Sequence, residues 1–182
     1  MPISPNHRSW HHGPLHVVSD EGTYMVTAGT YRKEPFFHGE RRLSFLCDSI
    51  FSVATEFKWG LRAWAIFPNH DHFIADSAEN SKSLARLISK LHMTTAKALN
   101  TADSTSGRKV WDQYWDVRID FQRSYFARLR YVMNNPVKHG VVTTASQYRW
   151  CSALWFEENA ERSFVRTVAM FPTDKLSLDD DF

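Results

Sequence analysis

Leu61-Arg-Ala-Trp-Ala-Ile-Phe-Pro-Asn-His-Asp-His-Phe-Ile-Ala-Asp76 contains two short apolar runs, Leu61–Phe67 and His70–Asp76, hinged at Pro68-Asn69. Apolar runs of this length that end at a proline read as β-strands. Pro68 has no N–H to give to a ladder, so it marks an edge, a bulge or a turn. An antiparallel pair and one bent strand both fit.

Outward from this pair the patterns alternate. Tyr24–Thr30 (Tyr-Met-Val-Thr-Ala-Gly-Thr) is β-rich and strand-like. Residues 40–58 place Leu43, Leu46, Ile50, Val53, Ala54 and Phe57 at helical spacing, and Gly60 is read as closing that helix. Residues 81–99 form a second helix, 101–109 a polar loop, Val110–Ile119 a further strand and 122–135 a third helix. The order β-α-β-β-α-β-α predicts an α+β sandwich, with helices packed on a mostly antiparallel sheet. Residues 1–21, broken by Pro2, Pro5, Gly13 and Pro14, read as an irregular N-terminal arm. Residues 157–182 read as a charged, weakly patterned tail, which leaves 22–156 as the folded domain.

The 182 residues suffice for one domain with a sizeable core, and 43% hydrophobic with 14% aromatic content is a globular composition. No apolar run nears the roughly 18 residues that span a membrane, and the N-terminus has no apolar signal core. A cytoplasmic protein without membrane contact is expected. Cys47 and Cys151 are too few and too distant for a disulfide framework and read as buried apolar filler. The net charge of +2 is modest for a nucleic-acid binder. His7, His11, His12 and His16 read as part of the solvated arm.

In a strand, residues i and i+2 share a face. His70 and His72 therefore project together, Asp71 projects the other way, and two imidazoles on one face are able to hold one divalent ion. Alone, His-x-His is a weak signal. On the third helix, about 100° per residue groups Phe126, Leu129 and Met133 on one face. Tyr131 falls opposite, with Ser124, Arg128, Asn135 and Lys138. Tyr131 reads as an ordinary surface tyrosine or, between a guanidinium and an amide, as part of a phosphate-handling face. A tyrosine hydroxyl is a competent nucleophile when a metal or base assists it, and the Asn135 oxygen suits Mg²⁺ or Mn²⁺. Pro136 disfavours the helical conformation at Asn135, which predicts that the helix bends or ends there.

On the second helix, Lys82, Arg86, Lys90 and Lys97 lie in one narrow arc opposite Leu84, Leu87, Ile88 and Leu91. The arc reads as an ordinary solvated face or as a track for a phosphate backbone. In Val110–Ile119, alternation places Trp111, Trp115, Val117 and Ile119 on one face, and Tyr114 and Arg118 on the other as the expected nucleic-acid contacts.

These segments resemble the single-tyrosine HUH transposases, and among them the REP-associated tyrosine transposases of bacteria. The matching text is Phe67-Pro-Asn-His-Asp-His-Phe-Ile74, then Val110-Trp-Asp-Gln-Tyr-Trp-Asp-Val-Arg-Ile119, Tyr131-Val-Met-Asn-Asn-Pro-Val-Lys-His-Gly-Val-Val142 and Tyr148-Arg-Trp-Cys-Ser-Ala153. The start, Trp10-His-His-Gly-Pro14 with Gly22-Thr-Tyr-Met-Val-Thr27, is similar too. The likeness covers about residues 10–155. Each motif is modest, and four in order are specific.

The resemblance implies a ferredoxin-like (RRM-like) domain and single-stranded or hairpin DNA, folded from palindromic repeats, as substrate. It implies His70, His72 and Asn135 as ligands of a divalent ion, Mg²⁺ or Mn²⁺, and Tyr131 as the nucleophile that forms a 5′-phosphotyrosine link. Localisation would be cytoplasmic, on the nucleoid when DNA is bound. One residue departs from the pattern: the middle of the histidine motif is usually apolar and here is Asp71. A buried carboxylate needs compensation, so a polar partner, an exposed edge or a twist towards the ion is expected.

Two other readings stay open on sequence grounds. One is a domesticated hairpin-DNA-binding protein without cleavage activity. The other is a phosphodiesterase that uses water in place of Tyr131. Monomer and homodimer, and a Tyr131 serving its own or a partner's site, are equally compatible with the sequence.

Overall fold

The computed structural model describes residues 22–77, 81–173 and 176. The N-terminal arm with its four histidines, and the last residues of the tail, lie outside the described residues.

The elements are β1 (Thr23–Thr30), α1 (Glu40–Glu56), β2 (Trp59–Ile66), β3 (His70–Ser77), α2 (Leu84–Ala102), β4 (Trp111–Arg118), α3 (Gln122–Lys138), α4 (Ala153–Asn159) and α5 (Arg162–Ala169), with short 3-10 turns between some of them. The strands form one sheet in the order β2-β3-β1-β4, and every neighbouring pair is antiparallel. The expected α+β, ferredoxin-like sandwich is the fold observed.

The hinge at Pro68-Asn69 is a tight turn, so the two runs are an antiparallel pair and not one bent strand. Phe67 N–H donates to the His70 carbonyl across it at 2.8 Å. The turn is held from outside, since the carbonyls of Pro68 and Asn69 accept from Phe37 N–H and Thr30 N–H at 2.9 and 2.8 Å. His70 thus begins β3 from a fixed point.

Helices cover both faces of the sheet. On one, α1 buries Leu43, Leu46, Ile50 and Val53, and α2 buries Leu84, Leu87, Ile88 and Leu91, against Val26, Ala28, Phe73 and Ala75. Each such aliphatic side chain contributes about 1.5–3 kcal/mol on burial. On the other face, Leu129, Val132 and Met133 of α3, Phe156 of α4 and Val168 of α5 pack with Met25, Ala63, Ala65 and Ile74. α5 lies in what the sequence offered as a charged, weakly patterned tail, so the folded domain runs past residue 156. Its Phe164 ring sits 5.3 Å from Phe126 and 5.5 Å from Phe156.

Three local expectations are corrected. Gly60 does not close α1. The helix ends at Glu56, Lys58 takes the left-handed turn at φ 59°, and Gly60 lies in β2 opposite Asp76. The third helix does not stop at Pro136; it continues to Lys138, with His139 N–H donating to the Asn135 carbonyl at 3.0 Å. Burial of both Asn135 and Pro136 holds the last turn in place against the local preference. In β4, Ala28 pairs with Tyr114 but Thr30 pairs with Trp111. This bulge adds one residue to β4 and turns Trp111 onto the α1/α2 face, away from Trp115.

Candidate active site

His70 and His72 open β3 and face α3. Both are almost wholly buried, at 3% and 1% exposure, and their Nε2 atoms lie out of reach of solvent. Each ring is oriented through its other nitrogen. His70 Nδ1–H donates to Asn69 Oδ1 at 2.8 Å, and His72 Nδ1 shares a hydrogen bond of 2.8 Å with Thr27 Oγ1 on β1. Such bonds fix each ring and turn its Nε2 away from the bonded partner. The ring centroids are 5.2 Å apart, close to the ~5 Å expected for two imidazoles sharing one ion through Nε2 at about 2.1 Å. Phe67 stacks on His70 at 4.4 Å and 12°, bracing it from behind.

α3 crosses this pair. Tyr131 meets His72 edge-on with ring centroids 5.6 Å apart, and its hydroxyl oxygen is buried. The chain thus brings Tyr131 to its own histidines. The helix is buried on more sides than one apolar stripe implies, because it is wedged between the sheet and α5. The Tyr131 arc therefore faces the site and not open water. Asn135, one turn on, is fully buried, as is its Oδ1. Lys138 Nζ lies 5.2 Å from the Tyr131 ring centroid. Arg128, one turn before Tyr131, is held by Ser124 Oγ through Nη1. Burial pulls the Arg128 pKa below the usual guanidinium value.

No group of three or more His, Cys, Asp or Glu gathers as a metal cluster among the described residues. A divalent ion at this pair would need oxygen from an amide, a phenol or the substrate. Asn135 and Tyr131 are of that kind, and two imidazoles with oxygen donors are the chemistry of a divalent-ion site.

Asp71 is fully buried on the α1/α2 face, the face of Phe73 and Ala75. Neither oxygen has a hydrogen-bond partner among the described residues, and burial pushes its carboxyl up to about 8. Neither an exposed edge nor a twist towards His70 and His72 is observed. Burial thus favours the protonated acid, and the cost of an unpartnered carboxyl remains.

The expected nucleic-acid contacts scatter. Lys82, Arg86 and Lys90 belong to the α2 segment, on the opposite side of the sheet from His70 and His72. Lys90 pairs with Glu56 at 2.6 Å, and Arg86 lies over the Phe57 ring at 5.8 Å. Tyr114 is half-buried against the α1/α2 core, near His92. Arg118 pairs with Asp120 at 2.9 Å. Only Arg128 of that set accompanies Tyr131.

Sequence reasoning missed Thr27, Asn69, Phe67 and His139. His139 lies 5.0 Å from the His70 ring and 5.2 Å from Phe67. Its spacing of four from Asn135 was a usable signal; Thr27 needed the strand register.

No family model matches the chain, and no curated protein matches it. Among solved structures, that of a REP-associated tyrosine transposase bound to a REP hairpin matches with a TM-score of 0.64 and 19% identity, over 97% of this chain and 95% of that one. A protein from Deinococcus radiodurans R1, described as a candidate transposase, matches 68% of this chain and 96% of its own at 15% identity, with a TM-score of 0.47. The first likeness establishes the ferredoxin-like fold with its added helices; the second is too distant to carry an argument. No helix among the described residues is long and apolar enough to cross a membrane.

Proposed function

We propose that the chain is a metal-dependent single-stranded DNA endonuclease and strand transferase of the REP-associated tyrosine transposase type, acting on hairpin-forming palindromic DNA. The observation that carries this reading is the Tyr131 ring set edge-on against His72 at 5.6 Å, beside a second oriented imidazole. A buried tyrosine hydroxyl next to two presented Nε2 atoms is an arrangement for nucleophilic attack on a phosphodiester. The neighbour of like fold is a transposase held with a hairpin, which supports the substrate class.

In the reaction, the Tyr131 oxygen attacks the scissile phosphorus. The new bond is tyrosine oxygen to phosphorus, and the bond to the 3′ oxygen breaks. Tyr131 loses one proton and the departing 3′-hydroxyl gains one, so no nucleotide cofactor or oxidant is consumed. Attack by another 3′-hydroxyl reverses the step and joins strands. His70, His72 and Asn135 would hold the divalent ion, which supplies polarisation of a phosphoryl oxygen when bound. Arg128 and Lys138 place positive charge beside the phosphate. Thr27 and Asn69 keep the imidazoles in their ligating orientation.

A labelled hairpin with a single-stranded flank, incubated with Mg²⁺ or Mn²⁺, tests the reading. A covalent protein–DNA adduct is expected from the wild type and absent from Tyr131→Phe. Cleavage that survives the substitution without an adduct would reassign the chemistry to water.

A further inference from the structure

Among the described residues, the face of the sheet that carries the histidines is only half covered. α3 packs over β2 and β3, and β4 lies at the far edge, beyond β1. There Trp115 is 52% exposed and Val117 38%. The ladder fixes which way they point. Ala65 pairs with His72, His72 with Thr27, and Thr27 with Trp115. Residues directly opposite across strands share a face, so Trp115 stands on the same face as His72. It is two strand spacings away, about 10 Å. Val117 follows on that face opposite Met25. Trp115 and Val117 thus form an exposed apolar pair on this face, beside the histidine site.

The surroundings indicate the occupant's chemistry. The bank opposite β4 is α3, which has no acidic residue and carries Arg128 and Lys138 on the arc of Tyr131, while Arg130 is turned to the Phe171 carbonyl. Arg128 Nε is buried with no hydrogen-bond partner among the described residues. On β4 itself, Asp116 pairs with Val26 and so turns to the α1/α2 face, and Asp112 is held by Lys109 at 2.7 Å. The opening is therefore cationic on one side and aromatic on the other. That pairing fits a single nucleic-acid strand, whose phosphates track cations while its bases stack on a flat ring.

We infer that Trp115 is a base-stacking platform for the unpaired strand next to the scissile phosphate. The inference rests on the proposed DNA-cleaving function and assigns that site a residue which positions its substrate. A blunt hairpin, with no unpaired base to stack, gains nothing from it.

The test uses the full chain with Tyr131→Phe, so that DNA binds without being cut, and hairpins carrying 2-aminopurine at successive positions of a single-stranded flank. Quenching is expected at one flank position, lost with Trp115→Ala and largely restored with Trp115→Tyr. Affinity for the flanked hairpin should fall about 5- to 100-fold in Trp115→Ala, with blunt-hairpin affinity and the thermal melt unchanged. Equal quenching and affinity in Trp115→Ala would overturn the inference. So would an equal loss for blunt and flanked hairpins, or a loss of self-association in sedimentation in place of a loss of affinity. If the Tyr131→Phe chain bound neither DNA, the proposed function would fall and the inference with it.

Discussion

Thr27 is the residue on which the orientation of His72 turns. Its hydroxyl fixes the imidazole through Nδ1 at 2.8 Å, and removing such a partner typically costs 10–100-fold in metal affinity. Thr27→Val keeps the strand's shape and should weaken Mn²⁺ binding by at least about 10-fold, measured by calorimetry, while leaving the melting temperature near that of the parent. Asp71 makes the opposite kind of prediction. It buries a carboxyl among apolar side chains with no partner among the described residues. Asp71→Val should therefore raise stability by about 1–3 kcal/mol in urea unfolding and leave metal affinity unchanged. A loss of Mn²⁺ binding in Asp71→Val would show that the acid acts on the ion after all.

At the scale of elements, the segment Tyr148–Ser152 has a structural use. It closes the outer edge of β2: Ile66 N–H donates to the Trp150 carbonyl at 3.0 Å, Ser152 N–H to the Trp64 carbonyl at 2.9 Å, and Tyr148 OH to the Ile66 carbonyl at 2.8 Å. Tyr148→Phe removes the last of these bonds at a buried site. It should cost about 1–2 kcal/mol in chemical denaturation without changing the adduct yield. Much at this scale was legible in the sequence. The strand-like stretches, the apolar spacings of α1, α2 and α3 and the Pro68-Asn69 hinge placed the four strands and those three helices but not α4 or α5, and the helical count put Tyr131 and Asn135 on one arc. Two further features resisted. The bulge in β4 depends on pairing with β1 and leaves no mark in alternation, so the Trp111 and Trp115 faces were merged. The run of α3 through Pro136 depends on tertiary burial that overrides the proline's local preference.

At the scale of the molecule, the three layers separate tasks. The α1/α2 side is structural, and its titratable groups govern stability. His92 stacks on Trp111 at 4.3 Å and 6°, and burial lowers its pKa to about 4. The folded chain thus keeps His92 neutral while the unfolded chain protonates it below about 6.5. This contribution to stability is intact above pH 6.5 and is lost as pH falls through 4. The loss should reach at most about 3 kcal/mol. Unfolding curves between pH 7 and 4 should show it, and His92→Gln should flatten that part of the profile. The α3 side brings Tyr131 to His70 and His72, with Asn135 buried one turn on, and its chemistry is the central claim.

That claim is tested most directly by trapping the adduct with a flanked hairpin and mapping the modified residue by mass spectrometry. The chain has six tyrosines. The account predicts a 5′-phosphonucleotide on Tyr131 alone, formed only with a divalent ion. A nucleotide on any other residue, or cleaved DNA with no modified residue at all, would contradict it.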